Sequence, residues 1–179
     1  MRLTFKSGML LAGTAIFITL SGPAIAQKSD EASGDARFAR QAAMGGMTEV
    51  ELGRIAVQKS SNDKVKEFGQ RMIDDHSKIG DELKGIAAKN NFNIPSQLDE
   101  RHKAIVKGYA NMAGTEFDRA YMRDMVSDHQ TSIADFQKEA NNGMNADLKS
   151  WATTTLPMIQ EHHRIAKEME SSLSVTSSK

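Results

Sequence analysis

Three histidines and four carboxylates fall near the midpoints of the amphipathic segments of this chain: Glu49, Asp75 with His76, Asp128 with His129, and Glu161 with His162. Imidazole nitrogen and carboxylate oxygen together suit Zn, Fe, Mn or Cu. Mid-helix positions of an antiparallel bundle meet in one layer, so these residues could surround a single divalent ion. The set most compatible with one ion is His76, His129, His162 and Glu49. The same residues fit a second reading, a buried polar layer in which each histidine pairs with a carboxylate and fixes helix register. In both cases a buried charge must be paired.

The helix that the others must pack around covers residues 148–169. Leu148, Trp151, Thr155, Met158, His162, Ile165 and Met169 recur at steps of three and four, the seam of a helix laid along a core. Pro157 removes one backbone donor and is expected to kink that helix just before His162. The adjacent His163 points about 100° away and is expected at the surface.

Earlier segments carry the remaining groups. Residues 38–59 form the first expected helix, with Phe38, Ala42, Gly45, Glu49, Leu52 and Ala56 inward and Glu51 turned elsewhere. Its small residues Ala42, Ala43, Gly45 and Gly46 would let a neighbouring helix approach closely, although each glycine costs roughly 1 kcal/mol of helix propensity. Ser60 to Asp63 reads as a turn and cap. The second helix then runs to about residue 89 on Val65, Phe68, Met72, Asp75, Ile79, Leu83 and Ile86, which puts Asp75 on the seam and His76 on its flank. Pro95 breaks the chain. Residues 96–112 connect the halves and contain a short helix capped by Ser96 with Asp99, on which His102 is solvated. Thr115 with Asp118 caps the third long helix. Its stripe is Met122, Met125, Val126, His129, Ile133, Phe136 and Ala140, and Asn141-Asn142-Gly143 stops it. The fourth runs from about residue 145 to 172.

Of the 179 residues, the first 26 read as a secretory signal. Arg2 and Lys6 precede an apolar run too short to span a bilayer comfortably, and Ala24-Ile25-Ala26 is an A-x-A cleavage site. Cleavage leaves 21 basic against 23 acidic residues, a net charge near −2, with no basic face for nucleic acid. Absence of cysteine excludes a disulfide scaffold, a thiolate metal site and a lipid-modified N-terminal cysteine. No segment of the mature chain is apolar enough to cross a membrane as a helix. Residues 27–36 read as a disordered lead-in, 37–172 as the bundle and 173–179 as a frayed tail. The address is the periplasm, with outer-membrane association left open.

The two halves echo each other. Aligning Phe38 with Phe117 brings Arg40 onto Arg119, Thr48-Glu49 onto Ser127-Asp128 and Gln58-Lys59 onto Gln137-Lys138. Two related hairpins joined by a long crossover make a ferritin-like four-helix bundle. Met44-Gly-Gly-Met-Thr-Glu-Val-Glu-Leu-Gly53, Met72-Ile-Asp-Asp-His76, Phe117-Asp-Arg-Ala-Tyr-Met122, Met125-Val-Ser-Asp-His129 and Thr155-Leu-Pro157 resemble a family of exported bacterial proteins. That family is a domain of unknown function, often labelled "predicted outer membrane protein". The resemblance covers residues 35–169 and implies a ferritin-like helical bundle and a secretory context, with no established activity.

Ferritin-type di-iron sites need Glu-x-x-His on two helices. Here Lys78 follows Asp75 by three residues and Arg164 follows Glu161, so di-iron chemistry does not fit. The eleven methionines, with Met44/Met47 and Met122/Met125 spaced i, i+3, could serve Cu(I), but core filling is the plainer use. No nucleophile motif, phosphate loop or cofactor fingerprint appears. The sequence thus reads as an all-α, exported binding or structural protein of the envelope, with a role in envelope maintenance or stress tolerance, and leans away from an enzyme without deciding it. The competing reading is a metalloprotein holding one ion in the His/carboxylate layer, with redox activity open to it. Partners are left open, a homo-oligomer among them.

Overall fold

The computed structural model describes residues 34–175, so the expected signal segment, most of the lead-in and the end of the tail lie outside the described residues. Five helices, and among the described residues no strand, make up the fold: α1 (Gly34–Lys59), α2 (Asp63–Asn90), α3 (Glu100–Ala110), α4 (Gly114–Asn142) and α5 (Ala146–Val175). α1 begins ahead of the expected start because Asp35 is already in use. Its carboxylate accepts hydrogen bonds from the backbone N–H groups of Met144 (3.1 and 3.2 Å) and Asn145 (2.6 Å) in the α4–α5 turn.

At the opposite end, Ser61 in the α1–α2 turn donates to Asp118 near the start of α4 at 2.8 Å. These two latches set α1 and α4 antiparallel. Asn90, closing α2, bonds both Asp147 (2.9 Å) and Asn145 (2.7 Å) beside the start of α5. The connection from α2 to α4 must therefore travel the length of the bundle, and α3, which lies on α1, carries it there. The closest pairings are α1 with α2 and α4 with α5, with α1 also against α4 and α2 against α5.

Helix ends follow local chemistry. Asn62 caps α2 by accepting from the Lys64 N–H, and Asn91 closes it in the left-handed region at φ 57°. Asp99, rather than Ser96, caps α3 by accepting from the His102 N–H; His102 also pairs with Asp99 at 2.6 Å. Ala113 precedes α4 without a side-chain cap, and the expected cap by Thr115 with Asp118 is not formed, because both lie inside a helix that starts at Gly114; Asp118 accepts from Ser61 instead. Gly114 adopts φ +58°, a conformation that strains any side chain. Pro157 lies inside α5, which continues through it to Val175.

Buried positions form two apolar clusters. At the Ser61 end, Leu52, Val65, Phe68, Met72, Phe117, Tyr121, Met122 and Met125 pack together. At the Asp35 end, Phe38, Ile79, Leu83, Phe136, Leu148, Trp151 and Ile159 do so, with Phe136 5.0 Å from Phe38 and 5.3 Å from Trp151 between ring centroids. Met122 and Met125 are thus core filling. On α5 the buried seam is Leu148, Ala152, Thr155, Ile159, His162 and Ala166, with Trp151 beside it, so Met158 and Ile165 are only half-buried.

The small residues divide their work differently from the sequence reading. The tight α1–α2 approach is made by Gly53 and Gly69: a Cβ on Gly53 would lie 2.6 Å from the Gly69 carbonyl oxygen. A Cβ on Gly45 would meet nothing within 4 Å. Gly53→Ala should therefore destabilise the fold by roughly 1–3 kcal/mol, whereas Gly45→Ala should stabilise it by up to about 1 kcal/mol. Urea unfolding midpoints of the two variants should move in opposite directions.

Glu139 is buried near the Asp35 latch, with one carboxylate oxygen lacking a hydrogen-bond partner. Burial first, and the charge of Asp35 second, push it up to about 7 against the opposing pull of Lys149. The folded state then holds a proton that the unfolded chain has released between pH 4.5 and 7, so the Glu139 contribution falls as pH rises through that window. Glu139→Gln should gain stability over wild type by up to about 1.4 kcal/mol per pH unit across it. Denaturation at pH 4.5, 6 and 7.5 measures the difference, and a constant difference would contradict the assignment.

Candidate metal centre

Between the two apolar clusters each long helix places one titratable side chain inside: Glu49 from α1, His76 from α2, His129 from α4 and His162 from α5. The three histidines are between 0 and 4 % exposed. Each sits one helical step from the apolar residues that bury it: His76 between Met72 and Ile79, His129 after Met125, and His162 between Ile159 and Ala166. Ring centroids lie 5.8 Å apart for His76–His129 and 5.4 Å for both other pairs. One ring nitrogen from each comes within 4.8 Å of the other two.

The outward sides of two of these rings are held by acceptors. His129 Nδ1 lies 2.9 Å from the Met125 carbonyl oxygen. A carbonyl only accepts, so Nδ1 carries the hydrogen and Nε2 keeps a lone pair. His162 Nε2 donates to Asp75 Oδ2 at 2.8 Å, which leaves its Nδ1 with the lone pair. His76 Nδ1 faces Glu49 Oε2 at 3.1 Å, off hydrogen-bond geometry, and Glu49 Oε1 is 3.6 Å from His129 Nδ1. Both nitrogens of His76, with His129 Nε2 and His162 Nδ1, are buried with no hydrogen-bond partner. Leaving buried polar atoms unmatched costs about 1–3 kcal/mol each, so such a group needs an occupant or a reason.

Burial keeps the imidazoles neutral. It lowers His76 well below the usual histidine range, with His129 and His162 adding to the effect. Burial, then His162, lowers His129 to about 4 against the opposing Met125 bond. His162 is lowered by burial against the opposing bond to Asp75. Glu49 is pushed up to about 8 by burial first and by the charge of Asp128 second. Neutral imidazole is the form that ligates a cation.

The remaining sequence-predicted residues separate. His76, not Asp75, lies on the α2 seam; Asp75 stands half-exposed at its flank, behind His162. Glu49 is buried, whereas Glu51 pairs with Arg54 near the surface. Glu161 is exposed and held by Arg164 at 2.7 Å, so it does not join the layer. Asp128 is exposed too and acts on Glu49 only through its charge. Among the residues missed by sequence reasoning, the Met125 carbonyl is invisible to a side-chain pattern. Tyr121, whose buried hydroxyl lacks a partner and whose proton is held by burial and by Glu49, carried no signal beyond its aromatic type.

An all-helical bundle with a buried histidine cluster is thus the class that fold and site define. The chain matches the domain of unknown function DUF4142 over residues 21–169, and it belongs to that family. Two solved structures share its fold at 13 % identity. One is a DUF305 fragment from Deinococcus radiodurans, with a TM-score of 0.65 over 79 % of this chain and 95 % of that one. The other is a candidate secreted DUF305 protein from Streptomyces coelicolor, with a TM-score of 0.67 over 79 % of this chain and 94 % of that one. At that identity the likeness speaks for the fold alone. No curated protein matches the chain. Among the described residues no helix is long and apolar enough to cross a membrane.

The two carboxylates next to histidines on α2 and α5 should behave differently. Asp75→Ala removes the acceptor of a buried imidazole N–H and should cost about 1–3 kcal/mol. Glu161→Ala breaks an exposed pair and should cost less than about 1 kcal/mol. Guanidinium unfolding of metal-free protein compares them, and equal losses would deny Asp75 its hold on His162.

Proposed function

We propose that this protein is an exported metal-binding bundle of ferritin-like arrangement, two helical hairpins joined by one long crossover. Its single ion is held by His76 Nε2, His129 Nε2 and His162 Nδ1. The observation that carries the reading is that each of three buried imidazoles has a nitrogen without a hydrogen-bond partner and that the three rings are grouped in one layer. Zn–N bonds of about 2.0–2.1 Å in a tetrahedral shell put nitrogens about 3.3 Å apart. Small ring rotations reach that separation from the 4.8 Å span of the cluster.

Glu49 then takes a different role from the one expected of it. It approaches the Nδ1 sides of His76 and His129 and so stands behind the ligands, as Asp75 stands behind His162. Carboxylates and carbonyls in that position fix the tautomer and raise ligand basicity; Glu49, raised to about 8 without an ion, takes that role on losing its proton. The three-imidazole set leaves further coordination positions open. It favours borderline divalent ions, with Cu2+ and Zn2+ above Fe2+ and Mn2+. With Fe or Cu such a centre would be open to redox chemistry.

Thermal unfolding with and without Zn2+, Cu2+, Fe2+ or Mn2+ tests the proposal. An ion at a hundred times its Kd adds about 2.7 kcal/mol to the folded state, which corresponds to roughly 5–10 °C for a chain of this size. A chelator should remove the gain. His129→Ala should abolish it, Asp75→Asn should weaken affinity about 10–100-fold, and Glu161→Ala should leave it intact. A wild-type melting point indifferent to all four ions and to chelator would overturn the proposal and return the layer to a structural role.

A further inference from the structure

A cavity of about 740 Å³ opens between α1, α2 and the crossover and reaches inward to Glu49 and His76. Phe38, Ile79, Leu83, Phe136 and Ile159 give it apolar walls, to which the crossover adds Ile94 and Val106, while the charged side chains on its lining, Arg54, Asp81, Lys84, Lys103, Lys107 and Asp135, are exposed. Its size falls in the range of small-molecule sites, roughly 300–1,000 Å³. Two features set it apart from a packing defect. Gly45 and Gly46 lie on its wall, and neither is required by helix packing: a Cβ on Gly45 meets nothing within 4 Å, and one on Gly46 comes no nearer than 3.8 Å to His76 Nδ1. Both weaken a helix, and both leave room beside the cavity. In addition Trp151, 5 % exposed, lines the cavity, and its indole N–H is buried without an acceptor.

We infer that the cavity binds a small, largely apolar organic molecule bearing a carbonyl oxygen, which accepts the Trp151 N–H while its body lies against the aromatic and aliphatic walls. An indole N–H only donates, so the ligand must bring an acceptor. The charged side chains of the lining are of both signs and stand in solvent, so the buried apolar part favours an uncharged one. This inference goes beyond the metal reading and does not need the ion, although such a ligand would lie beside His76.

Acetophenone and ethylbenzene, near-isosteres with and without the carbonyl, are suitable probes for the full mature chain, with binding followed by ligand-observed NMR. Acetophenone should bind saturably and about fivefold or more tighter than ethylbenzene, the ratio given by one hydrogen bond of about 1 kcal/mol. Trp151→Phe keeps the ring and should erase that preference while ethylbenzene still binds. Gly45→Phe should abolish binding of both probes with no loss in unfolding midpoint. His129→Ala should leave acetophenone affinity within about twofold, so that a failed metal site and a failed cavity site give different results. Unsaturable binding of both probes, or a carbonyl preference that survives Trp151→Phe, would overturn the inference. So would probe binding that disappears as the protein doubles in sedimentation mass, since a second copy would then fill the cavity.

Discussion

Everything in this bundle depends on burying three imidazoles in one layer without charging them. Apolar clusters on both sides exclude water, and that exclusion holds His76, His129 and His162 neutral. Neutral rings can share a small space because they do not repel one another. Each ring has an oxygen on its outward side, from Glu49, Met125 or Asp75. The outward N–H groups of His129 and His162 are satisfied, and the inward lone pairs have nothing to accept from.

Antiparallel packing is what brings the four helices to the same level. The Asp35 latch fixes one end of the α1–α4 pair and the Ser61–Asp118 bond the other, so neither helix can slide a turn without breaking a buried or half-buried polar contact. The Gly53–Gly69 approach clamps α1 to α2 at the end away from the cavity. On the other side of the layer a Cβ on Gly45 would meet nothing within 4 Å and one on Gly46 would come no nearer than 3.8 Å to His76, and there the cavity reaches the polar layer.

The internal echo of the two halves is visible in three dimensions, with an offset. His76 and His162 occupy equivalent places on the second helix of each hairpin. On the first helices the sequence alignment set Glu49 against Asp128, but the layer uses Glu49 and His129. The change of one position turns the second hairpin's contribution from a carboxylate at the surface into an imidazole in the core. That asymmetry gives the centre three nitrogens and keeps its buried formal charge low.

The sequence by itself determined the helices, their approximate limits, the long crossover and the depth at which polar groups interrupt each seam. Spacing of three and four residues, asparagine and glycine stops and Pro95 are local properties, and local physics suffices to read them. It could not decide which member of an adjacent pair turns inward. Asp75 and His76 both continue a seam from Met72 to Ile79 in steps of three or four, and Glu161 and His162 differ by only 100° around α5. The choice falls to the neighbouring helix: Arg164 holds Glu161 at the surface, while the rings of His76 and His129 face the space into which His162 turns. Small residues on α1 were legible as unusual, but whether a glycine admits a helix or leaves a cavity depends on what stands opposite. The Met125 carbonyl that orients His129 is a backbone atom, present at every position and given meaning only by the ring beside it.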